Sequence, residues 1–281
     1  MDWSKAKTIL IVALLLTNFL LGYVIFFKQD MVDATTDGEF IENTIKLLKE
    51  KNIELATTIP VETEDLFGLV VEYEIQDPVN LNNNFFDGNG SIDVKGEGLQ
   101  EIKYLDKTIT ILNDKLIIYE ANPRGEIYSI ESEEEAEDIA RGFLNENGIS
   151  TSDMEISFVK KSGNSYNIEF TKVFNSHYIE STFTNLQLNN RGVIKMERNW
   201  LNMKEIGITP IEISSAPKSI LSLLSKKEVY GKTISHISLC YYFDPKMQVY
   251  QFDPEETQQG TTIPAWRVQF EDGYKVIIDN Y

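Results

Sequence analysis

Few residues in this chain have types and spacing that could do chemistry. The densest set of oxygen ligands is Asp87-Gly88-Asn89-Gly90-Ser91-Ile92-Asp93. Read as the middle of a calcium loop, Asp87, Asn89, Gly90 and Asp93 fall at positions 3, 5, 6 and 9. Position 1 is then Phe85 and position 12 is Gly96, so the first ligand and the bidentate acid are both missing. The stretch therefore reads as a polar loop tip, with weak calcium binding as its other use. Ser215-Ala216-Pro217-Lys218 fits Ser-x-x-Lys, but the companion Ser-Asp-Asn and Lys-Thr-Gly motifs are absent and Ser215 has a helix to cap. His177 and His236 are the two histidines. No Gly-x-Ser-x-Gly elbow accompanies them for nucleophilic catalysis, and no His-Glu-x-x-His pair for zinc. No glycine-rich phosphate loop is present. A pair of carboxylates for glycoside hydrolysis is a tertiary property, hidden among 44 acidic residues. Cys240, alone, can make neither an internal disulfide nor a thiolate metal site, and reads as a small buried hydrophobe. The chain is expected to be non-catalytic, with no metal and no cofactor.

Charge narrows the partners. The 281 residues carry 44 acidic and 26 basic side chains, a net charge of -18. Nucleic acid and anionic lipid would be repelled over most of such a surface. The length suits one large or two modest domains, and 13 Tyr and 15 Phe supply a core.

The elements that must position any site begin with an apolar run. Ile9 to Phe27 carries no charge. Its 19 positions reach about 28 Å as a helix, close to the ~30 Å of a bilayer core. Lys5 and Lys7 precede it and Lys28 follows, then five acids arrive before the next base, Lys46. Residues 1–8 leave no room for a domain, so we expect a cytoplasmic N-terminus, a span over 9–27, a linker over 28–36 and an extracellular remainder. Val32-Asp33-Ala34 loosely resembles a cleavage site, but it lies well past a run longer than a signal core. Ala6, Ala13 and Thr17 share roughly one helical face along which another helix could approach; Thr17 could instead bond back to its own helix.

Beyond the linker the pattern repeats: an amphipathic helix, then strands. Thr36 or Asp37 caps a helix presenting Phe40, Ile41, Thr44, Ile45 and Leu48. Strands are expected over 69–75, 108–112 and 115–120, the last two joined at Asn113-Asp114. Ser132 and Glu135 form a capping box ahead of Ala136, Ile139, Ala140, Phe143 and Leu144, with Gly148 closing that helix. Glu133, Glu134 and Glu135 suit the positive end of its dipole. Strands follow over 155–160, 165–172, 178–188 and 193–199. Ser214 or Ser215 starts a third helix through Pro217, Ile220, Leu221, Leu223 and Leu224. Its strands are expected over 234–243, 247–252, 265–269 and 274–278. Residues 77–98, rich in Asn and Gly, read as a long mobile loop. The fold class is α+β: helices covering one face of antiparallel meanders. One unit is expected over 37–125 and a second region over 126–281, itself two repeats (126–206 and 207–281).

The opening Met1-Asp2-Trp3-Ser4-Lys5-Ala6-Lys7-Thr8-Ile9, running straight into the span, resembles the start of YycI (WalI) proteins of Gram-positive bacteria. Size, single anchor and helix-plus-meander outer domain are similar too. The closing Ile263-Pro264-Ala265-Trp266-Arg267-Val268 and Gly273-Tyr274-Lys275-Val276-Ile277-Ile278-Asp279 is similar to PepSY-like modules. The resemblance implies a YycH-like outer domain and a regulator of a two-component system governing cell-wall metabolism. It would act with YycH on the sensor histidine kinase YycG (WalK), with a homodimer as a further arrangement. It further implies Ala13, Thr17 and Asn18 as the helix contact face, and Trp3 and Lys5 as anchors at the cytoplasmic interface. The alternative is an extracytoplasmic module capturing a peptide or wall fragment, using Tyr241, Tyr242 and Trp266. A wall-modifying enzyme would instead need two close acids in a cleft.

Overall fold

The computed structural model of the chain describes residues 3–28, 34–247 and 258–279. It opens with helix α1 (Trp3–Lys28), built from the Leu-rich run. Leu10, Leu14, Leu15, Leu16, Phe19 and Leu20 are all well exposed. The described side chains of α1 are continuous only from Leu10 to Tyr23, and among the described residues no helix is long and apolar enough to cross a membrane.

The folded body is α+β. Helix α2 (Gly38–Glu50) turns Thr44 and Leu48 inward and is followed by β1 (Glu54–Leu55) and β2 (Leu66–Tyr73). The segment expected to be a mobile loop instead holds helix α3 (Pro78–Phe86) and strand β3 (Ser91–Gly96). Asn is a poor helix former, so Asn80 to Asn84 hid the helix from a propensity argument. Tertiary burial overrides it: Leu81, Phe85 and Phe86 go into the core, and Asp77 caps the helix by accepting from Val79 N at 3.0 Å. Asn82 then pins the following turn, donating to Gly90 O at 3.0 Å and accepting from Gly90 N at 2.8 Å.

A meander of β4 (Leu99–Tyr104), β5 (Lys107–Leu112) and β6 (Leu116–Ala121) comes next, its last turn made by Asn113 and Asp114, both at positive φ. Helix α4 (Glu133–Glu146) carries the expected capping box of Ser132 and Glu135. Strands β7 (Met154–Ser162), β8 (Ser165–Phe174), β9 (His177–Asn189), β10 (Gly192–Asn199) and β11 (Leu201–Ile211) follow. The third helix is shorter than expected: α5 covers Ala216–Ile220, and Leu221–Ser225 tightens into a 3-10 turn. Ser215 stands at its N-cap without making the cap bond, because its hydroxyl pairs with Thr35. The chain closes through β12 (Thr233–Tyr242), β13 (Gln259–Thr261), β14 (Ile263–Phe270) and β15 (Lys275–Ile278). The strand expected over 247–252 lies, beyond Met247, outside the described residues.

The helix-plus-strands units share one sheet. Its order is β15-β14-β12-β9-β10-β6-β5-β4-β3, with β8 and then β7 on the other edge of β9, and a smaller sheet runs β11-β2-β13. Two pairings, β1 with β12 and β12 with β9, are parallel, a departure from pure meanders. One core lies under α2 and α5, the other under α3 and α4.

Both cores meet at β9. Along β8 the register advances two residues, Phe170 to Lys172, while β9 advances five, Thr184 back to Ile179. Three extra residues reverse the side-chain alternation of β9. Ser181 carries the bend at φ 79, held by its hydroxyl donating to Phe243 O at 2.5 Å and by Asn199 Nδ2 donating to its carbonyl at 2.9 Å.

The β14–β15 turn supplies a test of the packing. Gly273 has φ +89, and a Cβ there would sit 2.6 Å from the Phe158 ring. Gly231 has φ +79 with nothing within 4 Å. Gly273→Ala should cost about 2 kcal/mol or more and Gly231→Ala about 1, read by denaturant unfolding. Equal losses would show that Phe158 does not press on the turn.

Candidate functional site

The strands put polar side chains on the face of the large sheet turned away from the helices. In β14, Trp266, Val268 and Phe270 enter the core, so Arg267 and Gln269 face the other way. The bend at Ser181 does the same for Glu180, whose neighbour Ile179 is in the core. Arg267 is 1% exposed, and its Nε donates to Glu180 Oε1 at 2.6 Å. Lys275 of β15 bridges Glu180 Oε2 at 3.2 Å and Glu169 Oε1 at 2.5 Å. Ser157 Oγ donates to the same Glu169 oxygen at 2.5 Å, and Thr171 donates to Ser157 at 2.8 Å.

These contacts join strands far apart in sheet order. Gln269 of β14 donates to Ser157 O of β7 at 2.9 Å, so the sheet curls and β7 closes over the β14–β15 hairpin. The Arg267 guanidinium lies 4.7 Å from the Tyr178 ring centre, while its Nη2 is buried with no partner among the described residues. Burial by itself would raise the Glu169 carboxyl. Lys275, Ser157 and the charge of Arg267 outweigh that and hold it below the ordinary 4.5. Burial, with Glu180 adding to it, pushes the Cys240 thiol well above 9.0, so it stays protonated and inert.

Beside the ion cluster, two cross-strand rows border a cavity of about 330 Å³. One row runs Phe158, Glu169, Asn185, Glu197 across β7 to β10; the other runs Asn167, Gln187, Lys195 across β8 to β10. The opposite faces of these strands carry Ile168, Leu186 and Met196 into the core.

The sequence-derived candidates fare variously. Ala13, Thr17 and Asn18 are exposed on α1, and Thr17 Oγ1 donates back to Ala13 O at 2.9 Å. Trp3 is exposed with Lys7 Nζ 5.7 Å from its ring centre; Lys5 lies in α1, its side chain outside the description. Of the residues of the alternative capture site, Tyr241 and Trp266 are carried into the core by strand alternation at 3% and 1% exposure, while Tyr242 is half-buried. Asp87 caps α3, Asn89 donates to Phe86 O at 3.1 Å, and Asp93 pairs with Lys95. Among the described residues no group of three or more His, Cys, Asp or Glu is placed to hold a metal ion. Sequence reasoning assigns no role of their own to Arg267, Glu180, Glu169 and Lys275; the signal available is a charge alternating with large apolar residues inside a strand.

No family model matches the sequence, and no curated protein matches it. Solved structures do. YycH from Bacillus subtilis superposes with a TM-score of 0.50 and 13% identity, over 79% of this chain and 56% of its own length. The fold resembles that of YycH. An uncharacterized protein from Eubacterium rectale ATCC 33656 gives 0.51 at 14% identity, over 85% of this chain and 96% of that one. The C-terminal domain of Bacillus megaterium YpeB gives 0.39 at 11% identity, over 74% and 94%.

Two outcomes follow for the ion cluster. Arg267→Met strands Glu180 beside a single remaining cation and should cost about 3–5 kcal/mol, whereas Arg267→Met with Glu180→Met should restore most of it. A double-mutant cycle by denaturant unfolding reads this, and additive losses would remove the coupling. The Glu169 carboxyl is ionised to lower pH when folded than when unfolded. Its contribution is therefore full above pH 4.5 and is lost as pH falls through the folded-state value. Glu169→Gln should flatten the acid limb of stability against pH; an unchanged limb would rule the group out.

Proposed function

We propose that this chain is a non-catalytic, membrane-anchored regulator whose folded part lies outside the cell membrane. In this reading it biases a sensor histidine kinase of the YycG (WalK) type together with a YycH-type partner. The observation that carries the proposal is the YycH-like fold over 79% of the chain. The Asp2-Trp3-Ser4-Lys5-Ala6-Lys7-Thr8-Ile9 opening, which resembles YycI proteins, supports the same reading.

The anchor is α1, read as a span over 9–27. Its support is the uncharged run Ile9 to Phe27 and the exposed leucines on every side of the helix. A helix apolar all round needs an apolar surrounding. Within a bilayer Thr17 is already satisfied by Ala13 O, so Asn18 is the amide that a partner helix would have to satisfy. Packing of α1 against one arrangement of the kinase's spans would shift its signalling equilibrium, and the 1–3 kcal/mol typical of allosteric coupling is enough.

The test is crosslinking and pull-down of the full chain from native membranes, beside a variant with Ala13, Thr17 and Asn18 changed to Leu. We expect a sensor kinase with the native chain and at least about fivefold less with the variant. Equal recovery would move the contact to the folded body. No kinase with either would sink the proposal.

A further inference from the structure

The cavity bordered by β7 to β10 has no place in the kinase reading, and its chemistry points elsewhere. At about 330 Å³ it falls within the ~300–1,000 Å³ of small-ligand sites. Its walls are the side chains of two cross-strand rows, held by backbone ladders on both sides. Strands β8, β9 and β10 are each paired along both edges, so no free strand edge is offered here for an extended peptide. Recognition must come from side chains alone.

Those side chains favour a neutral ligand. Lys195 is paired with Glu197 at 2.6 Å, and Glu169 is paired with Lys275 at 2.5 Å. Each lining charge thus has its counter-charge, and an ionic ligand would have to displace one. What remains are the amides of Asn167, Asn185 and Gln187. Asn185 Oδ1 is buried with no hydrogen-bond partner among the described residues, an unfavourable arrangement that a bound donor would relieve. A carboxamide offers two donors and an acceptor, and a carboxylate offers acceptors. A hydroxyl, which both donates and accepts, satisfies either. Phe158 adds an apolar aromatic surface at one end of the first row, for the C–H face of a ring.

We propose that this cavity is a binding site for an uncharged, hydroxyl-rich ligand, that is, a short saccharide, with Asn185 and Gln187 as its hydrogen-bonding residues and Phe158 as its stacking surface. The assignment is independent of the kinase proposal. A regulator without a saccharide site and a saccharide-binding chain without a kinase partner remain separate results.

The experiment is a saturation-transfer NMR titration of the full chain in a zwitterionic detergent lacking sugar head groups. The probes are N-acetylchitotetraose, maltotetraose and tetra-alanine. Asn185→Leu and Gln187→Ala are compared with the native chain, near-UV circular dichroism deciding which variants are folded. The Gln187 change, which only shortens a half-buried side chain, covers failure of the first to fold. Saturable binding of either sugar, weakened at least about fivefold in every folded variant, is the expected result. Absence of binding by both sugars overturns the assignment, as does equal affinity in native chain and variants. Binding of tetra-alanine in place of the sugars, lost in the variants, replaces the saccharide with a peptide.

Discussion

The architecture turns on one irregularity in β9. Five residues of that strand stand against two of β8, and the odd surplus reverses which side chains face the helices. Before the bend Ile179 belongs to the core under α2 and α5; after it Leu186 and Leu188 belong to the core under α3 and α4. A regular strand would have turned Glu180 inward and Ile179 out. The same bend lets β9 pair with β12 first and β10 afterwards along one edge. Ser181 holds it at positive φ through bonds to Phe243 and Asn199, one from each of the two halves.

Glu180 set facing away from the core creates a need that the curled sheet then meets. An isolated buried carboxylate is very unfavourable, but Arg267 and Lys275 arrive from β14 and β15 with 2.6 and 3.2 Å contacts. The cluster extends through Glu169 to Ser157 and Thr171, tying β7 and β8 to the C-terminal hairpin. Ion pairs of this burial contribute little net stability relative to an apolar core. They do penalise any register in which one member lacks its partner. That is a role in registry, since β7, β8, β9, β14 and β15 must share one alignment for all of the contacts to form.

Helix α1 and the folded body present different chemistry. In α1 the side chains are apolar and outward, and the polar atom of Thr17 is turned back on its own helix. In the body, polar side chains lie on the outer sheet face and helices cover the other. The regulatory role proposed above rests on that division.

Local physics was enough for much of this. The capping box at Ser132 and Glu135, the Asn113-Asp114 hairpin, the amphipathic face of α2 and the strands around β8, β9, β12 and β14 could be read directly. Each depends on residues only a few positions apart. Helix α3 could not, because its evidence is the burial of Leu81, Phe85 and Phe86 against strands that come later, outweighing a run of poor helix formers. Nor could the ion cluster or the cavity. Glu169, Glu180, Arg267 and Lys275 lie up to 106 residues apart, and they meet because three extra residues in β9 and the curl of the sheet bring them there. Alternation along a strand says that a side chain faces one side or the other; which side, and what it meets, is settled when the strands pair.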